Sequence, residues 1–315
     1  MHTPKVSIGL PVYNGENFLA DAIQCALAQT FTDWELIICD NQSTDGTMDI
    51  CRDFAERDSR IRVYQNERNM GVAYSYNRVF SLSRGQYFRW ATHDDLFEPE
   101  FIESCLEVLE ADSDAVLVFP TICYVDAARR QLRRQGSELS VLGTTAEARA
   151  RRFLALGAQG HDIYWALYGL IRREVLQQAP VIGLYSGSDQ VMVLEIALRG
   201  NLRQIDRDLF FRREHPMAST LRRGWSLREK AQFVNADDKR RFLWPNCRLL
   251  KEYLNCVNSS SITGWGKVRC TIAVLHRFSA YWKLFVEEAI CSPYEALLSV
   301  SKGSGRTLKD AAVRH

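Results

Sequence analysis

The 315 residues are 46% hydrophobic and 25% charged with a formal net charge of +2, the balance of a soluble globular protein with a sizeable core. This excludes a disordered or fibrous chain, and no run reaches the roughly eighteen apolar residues of a membrane span. The length suits one large domain with an appendage, or two domains.

Met1-His2-Thr3-Pro4-Lys5 leads straight into an apolar run, without the layout of a signal peptide. The nine cysteines lack CxxC spacing, so they read as reduced thiols of a cytoplasmic protein rather than zinc ligands or a disulfide frame. Val6–Leu10 reads as a first strand and Pro11-Val12-Tyr13-Asn14-Gly15 as the loop after it. A helix fits Phe18 to Gln29, with Leu19, Ile23, Ala26 and Leu27 on one face. Trp34–Cys39 is nearly all apolar, as expected of a parallel strand covered on both faces. It ends in the polar loop Asp40–Thr47, ahead of a helix near Met48–Arg57. Ile61–Tyr64 is a short third strand, and a helix around Ala73–Ser83 follows Asn66–Gly71. The fourth strand, Tyr87–Ala91, stops at Thr92-His93-Asp94-Asp95. This alternation predicts an α/β fold, a mostly parallel central sheet flanked by helices. In such sheets ligands bind beyond the carboxyl ends of strands, where the loops at Pro11, Asp40 and Asp94 converge on a nucleotide-sized cleft.

Asp94 and Asp95 repel each other unless a cation or a dense set of donors stands between them. Oxygen ligands of this kind suit Mg²⁺ or Mn²⁺. The competing reading is a solvated acidic pair near a helix N-terminus, with Pro99 in its first turn. Neither GxGxxG nor GxxxxGK[ST] is present, so a bound diphosphate needs another anchor, and an ion at Asp94 and Asp95 would supply it.

Phe101–Glu110 reads as a helix, Ala115–Phe119 as a buried strand, and Arg129–Gly136 as an exposed hairpin or loop. Thr144–Leu156 reads as a helix. Tyr164–Arg172 reads as a strand, whose Trp165 and Tyr168 either line an acceptor site or pack in the core. Ser188 and Asp189 follow a Gly/Ser-rich turn before the helical run Val191–Leu198, where either can serve as an N-cap. From Asn201 to Lys283 there are seventeen Lys/Arg against seven Asp/Glu, a basic stretch. Within it, Val268–Ile290 carries apolar and aromatic residues at helical spacing. That stripe fits packing on the rest of the chain, a dimer face, or an anionic membrane surface. Ser301–Arg306 reads as a mobile tail. The chain thus divides into an α/β region, 1–216, and a basic, mainly helical region, 217–315.

Four ordered runs, Val6–Asn14, Leu36–Thr47, Asn69-Met70-Gly71 and Thr92–Asp95, resemble the successive signatures of family 2 glycosyltransferases. The resemblance implies a GT-A fold and a nucleotide-diphosphate sugar donor, UDP-linked as the first choice, with dTDP and GDP as alternatives. By it, Pro11, Tyr13 and Asp40 line the base and ribose pocket. Val12, Asn14, Asn69, Thr92, His93 and Asp94 complete the nucleotide-binding set. Asp94 is the principal ligand of Mn²⁺ or Mg²⁺, with Asp95 beside it. Thr92 departs from the pattern, standing where relatives commonly carry the first Asp of Asp-x-Asp-Asp, a ribose contact. Asp189 falls on the element that supplies the catalytic base, which an acceptor hydroxyl needs as it attacks. Phe210-Phe211-Arg212-Arg213-Glu214-His215 resembles a segment whose His approaches the metal or diphosphate. One base and no second nucleophilic carboxylate favour inversion.

The implied protein is a metal-dependent inverting glycosyltransferase of bacterial polysaccharide or glycolipid synthesis, acting on a saccharide or lipid-linked saccharide. Peripheral contact with the inner face of the membrane and homo-oligomer formation are both compatible with it. No nucleic-acid reader motif accompanies the basic stretch. Two alternatives stand beside this reading. One is a non-catalytic nucleotide-sugar binding or scaffold protein. The other is a sugar nucleotidyltransferase, which needs a Gly-rich basic phosphate loop where this chain has Leu10–Asn14.

Overall fold

Val6–Val12 and Trp34–Asp40 are buried at every position and lie side by side as parallel strands, in register from Val6 opposite Trp34 to Val12 opposite Asp40. Only a sheet covered on both faces buries alternate side chains on both sides. The computed structural model describes residues 3–136, 138–216, 218, 225–240 and 242–293. The tail Ser301–Arg306 lies outside these, as do Met217 and Ser219.

In chain order the elements are β1 (Val6–Val12), α1 (Leu19–Leu27), β2 (Trp34–Asp40), α2 (Thr47–Arg57), β3 (Ile61–Gln65), α3 (Val72–Ser81) and β4 (Tyr87–Trp90). Then come β5 (Leu96–Phe97), α4 (Phe101–Ala111), β6 (Ala115–Asp126), β7 (Gln131–Arg134) and α5 (Ala146–Ala158). A 3-10 turn (Ile163–Tyr168) leads to β8 (Leu170–Arg172), α6 (Arg173–Gln178), α7 (Ser188–Arg199) and β9 (Asn201–Glu214). The C-terminal region holds α8 (Leu227–Val234), α9 (Pro245–Ser259), α10 (Trp265–Ser279) and a further helix over 282–293.

The sheet order is β3-β2-β1-β4-β8-β6-β9-β5, with β7 paired to β6. β3, β2, β1 and β4 are mutually parallel, and β6 and β9 form a second parallel pair. β8 runs antiparallel to both β4 and β6, so the two reversals cancel. The carboxyl ends of β1, β2, β4 and β9 therefore meet at one edge. α7 returns from that edge to feed β9, which puts the α7 N-terminus there as well. Short antiparallel strands, β5 on β9 and β7 on β6, complete the sheet.

Alternate side chains feed two layers. Val6, Ile8, Leu10, Leu36 and Ile38 pack with α1 and α4, whereas Ile37 and Cys39 face α3, α5 and α7. Tyr253, Cys256 and Val257 of α9 and Cys270, Val274 and Phe278 of α10 join the second layer. The basic C-terminal helices thus share a core with the sheet.

One expected strand differs. Tyr164–Tyr168 is a 3-10 turn, and only Leu170–Arg172 extends. The turn lets Trp165 stack on Tyr168, with ring centroids 5.5 Å apart, and Tyr168 on Phe210 at 6.1 Å. A strand would have thrown neighbouring rings to opposite faces. All nine cysteines are free. No helix among the described residues is long and apolar enough to cross a membrane.

α10 docks on α5 where Arg277 crosses Gly157, and a Cβ at Gly157 would fall on the guanidinium. Gly157→Ala is expected to lower stability by about 1–3 kcal/mol, read by denaturant unfolding. Adding Arg277→Leu should remove part of that penalty, because the two positions are in contact. Simple additivity would show that the clash relaxes elsewhere.

Candidate active site

Three loops at the shared edge are braced to one another. Asn14 donates its N–H to the Ser43 hydroxyl (2.8 Å) and accepts from the Thr44 N–H (2.9 Å). The Gly15 N–H donates to Thr47 Oγ1 at 2.8 Å. Asn14 and Gln42 hold positive φ, 51° and 62°, which Asn and short polar turns tolerate. The fully buried Asp40 carboxylate accepts from the Ser43 N–H and the Gln65 amide. Asn69 accepts from Asn41 and from the Gly71 N–H. Asp40, Asn14 and Asn69 therefore shape the rim through internal bonds. Pro11 and Val12 lie at the buried end of β1, whereas Tyr13 projects 42% exposed beside the edge.

The two acidic neighbours are turned apart. Asp94 Oδ2 lies 3.1 Å from His215 Nε2. Asp95 points back into the fold, accepting from Thr92 Oγ1 at 2.5 Å and from the Arg213 main-chain N–H at 2.9 Å. Burial works against the charge on both. At Asp94 it is outweighed by the hydrogen bond to His215 and the charges of His93 and His215, which hold the carboxyl below its usual range. At Asp95 burial and the adjacent Asp94 charge push the carboxyl up. One of the pair is thus held as the anion, the other more easily protonated. Thr92 serves Asp95 in this structure, and the His93 ring lies against Gly15 of the first loop.

His215 is itself positioned by α1. Its ring meets Phe18 at a centroid distance of 4.6 Å. The buried Arg213 lies over the same Phe18 ring at 4.4 Å and pairs with Asp21 at 2.9 Å. Phe18, Asp21 and Arg213 were not legible as site residues, because Asp21 and Arg213 lie 192 positions apart in sequence and Phe18 stands on the Asp21 side of that gap, away from both His215 and Arg213.

Asp189 stands in the first turn of α7, behind Gly187, which takes the N-cap position with φ of 82°. Neither Ser188 nor Asp189 is the cap. Burial raises the Asp189 carboxyl above its ordinary range. Its neighbour Gln190 accepts from Tyr253 of α9 at 3.3 Å and from Arg277 of α10 at 3.0 Å. The Tyr76 hydroxyl, 3.1 Å from that of Tyr168, is raised by burial first and then by the charges of Asp94, Asp95 and Asp189. That hydroxyl pair is therefore within electrostatic reach of both the Asp94 loop and Asp189, a proximity that sequence periodicity alone does not reveal. Trp165 and Tyr168 belong to the packed aromatic group beside it.

Among the described residues no cluster of three or more His, Cys, Asp or Glu could hold an ion alone. Asp94 with His215 nonetheless fits a divalent ion that takes one or two protein ligands and fills its shell with phosphate oxygens and water. Both donors are of the right kind, and they already face each other across two loops.

The model of the family described as "Glycosyl transferase family 2" matches residues 7–178. The chain belongs to that family. A putative glycosyltransferase, EpsE of Bacillus subtilis, is 41% identical over 108 residues, 34% of this chain and 39% of the relative. Chondroitin synthase of Escherichia coli is 33% identical over 137 residues, 44% of this chain and 19% of the relative. Each match thus spans less than half of the relative's length. S. aureus TarS 1–349 in complex with UDP-GlcNAc superposes with a TM-score of 0.65 at 15% identity, covering 88% of this chain and 73% of that one. Mannosyltransferase PcManGT from Pyrobaculum calidifontis, in complex with GDP-Man and Mn²⁺, gives 0.51 at 14% identity, covering 98% and 81%. At such identity these likenesses establish the fold: GT-A type, with a helical C-terminal region.

A carboxyl raised on folding binds its proton more tightly in the folded state, so its contribution to stability falls as pH rises through the window above the unfolded value. Asp189→Asn is therefore expected to melt higher than wild type at pH 8, with the gain shrinking towards pH 4. A variant that melts lower at pH 8 would show the carboxylate to be a structural anchor.

Proposed function

We propose that this chain transfers a sugar from a nucleotide-diphosphate sugar, UDP-linked, to a hydroxyl of a saccharide or lipid-linked saccharide acceptor, inverting the anomeric centre. The observation that carries the reading is the meeting of the Asp94–His215 pair and the burial-raised Asp189 at one sheet edge, both within electrostatic reach of Tyr76. Family membership supports it, as do the nucleotide sugars held by the two structural neighbours, UDP-GlcNAc in TarS and GDP-Man in PcManGT. A teichuronic acid biosynthesis glycosyltransferase, TuaG of Bacillus subtilis, putative by its name, is 35% identical over 106 residues and supports a place in polysaccharide synthesis.

In this reading the exposed Tyr13 ring and the rim built on Asp40, Asn14 and Asn69 receive the nucleoside, with Pro11 and Val12 behind them. Asp94 and His215 would hold Mn²⁺ or Mg²⁺, which when bound neutralises charge on the diphosphate. Asp95 and Thr92 keep the loop that carries Asp94 in place. Asp189 takes the acceptor hydroxyl proton as the acceptor oxygen bonds to the anomeric carbon. The bond from that carbon to the diphosphate breaks on the opposite face, and its electron pair leaves with the diphosphate. A carboxyl raised by burial suits proton abstraction near neutral pH better than an exposed one. Asp95 is turned into the fold and Asp94 faces His215, which leaves Asp189 for proton transfer and is in keeping with a single displacement. A scaffold without activity would need none of this arrangement, and the rim lacks the phosphate loop of a nucleotidyltransferase.

A thermal-shift panel of UDP, dTDP, GDP and CDP, with and without Mn²⁺, tests the donor side. A ligand at a hundred times its dissociation constant stabilises the fold by about 2.7 kcal/mol. UDP with Mn²⁺ is expected to raise the melting temperature, and Asp94→Ala to abolish the metal-dependent part. Asp189→Asn should keep the shift and lose turnover by at least ~100-fold. No shift with any nucleotide, or full turnover in Asp189→Asn, contradicts the reading.

A further inference from the structure

α10 has two unlike faces. The inner face carries Cys270, Val274 and Phe278 into the core, and Arg277 reaches Gln190 beside the candidate base. The outer face presents Trp265, Val268, Ile272 and Leu275, which are 76%, 43%, 60% and 51% exposed. Spaced by three, four and three residues, they form one continuous stripe along the helix. A stripe of this size normally marks an interaction surface, because soluble monomers seldom leave contiguous large apolar side chains in water.

The chemistry around the stripe says what would cover it. Ile272 also forms one wall of a shallow groove of about 350 Å³ between α5 and α10, with Leu154 opposite and Arg151, Arg269 and His276 at the rim. Between Glu252 and Glu287 the chain contains no acidic residue, while Lys267, Arg269, Arg277 and Lys283 all fall in that interval. The nearest acid on the packed neighbour is Glu147, which Arg269 already engages at 2.6 Å. Arg151 shares that acid at 3.9 Å and Lys267 donates to the Asn258 main-chain carbonyl, so two arginines stand against one carboxylate and the rim keeps a positive excess, with His276 exposed beside it. A tryptophan at one end of an apolar helical stripe, flanked by basic groups and with no acid on its own helix, is complementary to an anionic bilayer surface. A second copy of the chain would set the same basic rim against itself, like charge on like charge. No helix among the described residues spans a membrane, so the contact would lie in the interface plane.

We propose that the outer face of α10, from Trp265 to Leu275 and into the α5–α10 groove, docks on an anionic lipid bilayer. The inference does not depend on the donor or the chemistry of the active site. Docking would carry the Gln190 brace and the turn of Asp189 on the same packed unit as the lipid contact.

Vesicle co-flotation tests it, using phosphatidylcholine vesicles with and without phosphatidylglycerol, on wild type and on Ile272→Glu. Ile272 is exposed, so the variant should fold, and an unchanged thermal melt confirms that. Wild type is expected to float with the anionic vesicles only, with the fraction falling as salt is raised. Ile272→Glu should bind roughly tenfold or more weakly, having lost a buried apolar side chain and gained a repelled charge. Wild type that stays with neither vesicle, or equal flotation of the two proteins, overturns the proposal. So does a dimer seen by light scattering that Ile272→Glu dissolves while neither protein floats, since that assigns the face to a second copy.

Discussion

Two adjacent carboxylates at a strand end cannot both remain charged and close without help, and this structure resolves the conflict by direction. Asp95 turns inward to the Arg213 main chain and the Thr92 hydroxyl, while Asp94 turns outward to His215. Much of the site follows from that division. The bond to Arg213 pins the end of β9 to the loop after β4, and the pin brings His215, two residues on, against Asp94. α1 closes the circuit, since Phe18 supports the His215 ring and Asp21 holds the Arg213 guanidinium. The same helix follows the Pro11–Gly15 loop, so that loop and the Asp94–His215 pair are set by one rigid piece.

The C-terminal helices serve the other half of the site. Their charge suggests an appendage, yet Tyr253 and Arg277 converge on Gln190, one residue beyond Asp189. A buried carboxylate needs a turn that does not move if its position relative to an acceptor is to be kept. α7 obtains that rigidity from α9 and α10 rather than from an N-cap side chain, and Gly157 is the residue that lets Arg277 pass.

How far the sequence carried the account depends on the range of the interactions. β1, β2 and β4 were legible because a parallel strand covered on both faces reads as a mainly apolar run, interrupted here only by Ser7, Glu35 and Arg89, and each is followed by polar residues. The helices were legible by periodicity, and the edge where the loops meet followed from the topology of such sheets. The Tyr164–Tyr168 turn was misread as a strand because its aromatic residues favour strands in general, while ring stacking on Phe210 decided the local conformation. The inward turn of Asp95, the support of His215 by Phe18 and the Gln190 brace have no local signature. Apart from the Thr92 hydroxyl on Asp95, each joins residues at least 60 positions apart, and only the fold reveals them.

The central claim is that the α1–β9 latch holds the Asp94–His215 pair ready for an ion shared with the donor diphosphate. The direct measurement is a calorimetric titration of Mn²⁺ into the UDP complex of wild type and of Asp21→Asn, which removes the latch without touching either ligand. The account predicts Mn²⁺ affinity weaker by roughly 10–100-fold in the variant, as for the loss of other outer supports of a metal ligand, with metal-free UDP binding unchanged. Wild-type Mn²⁺ affinity in Asp21→Asn would contradict it.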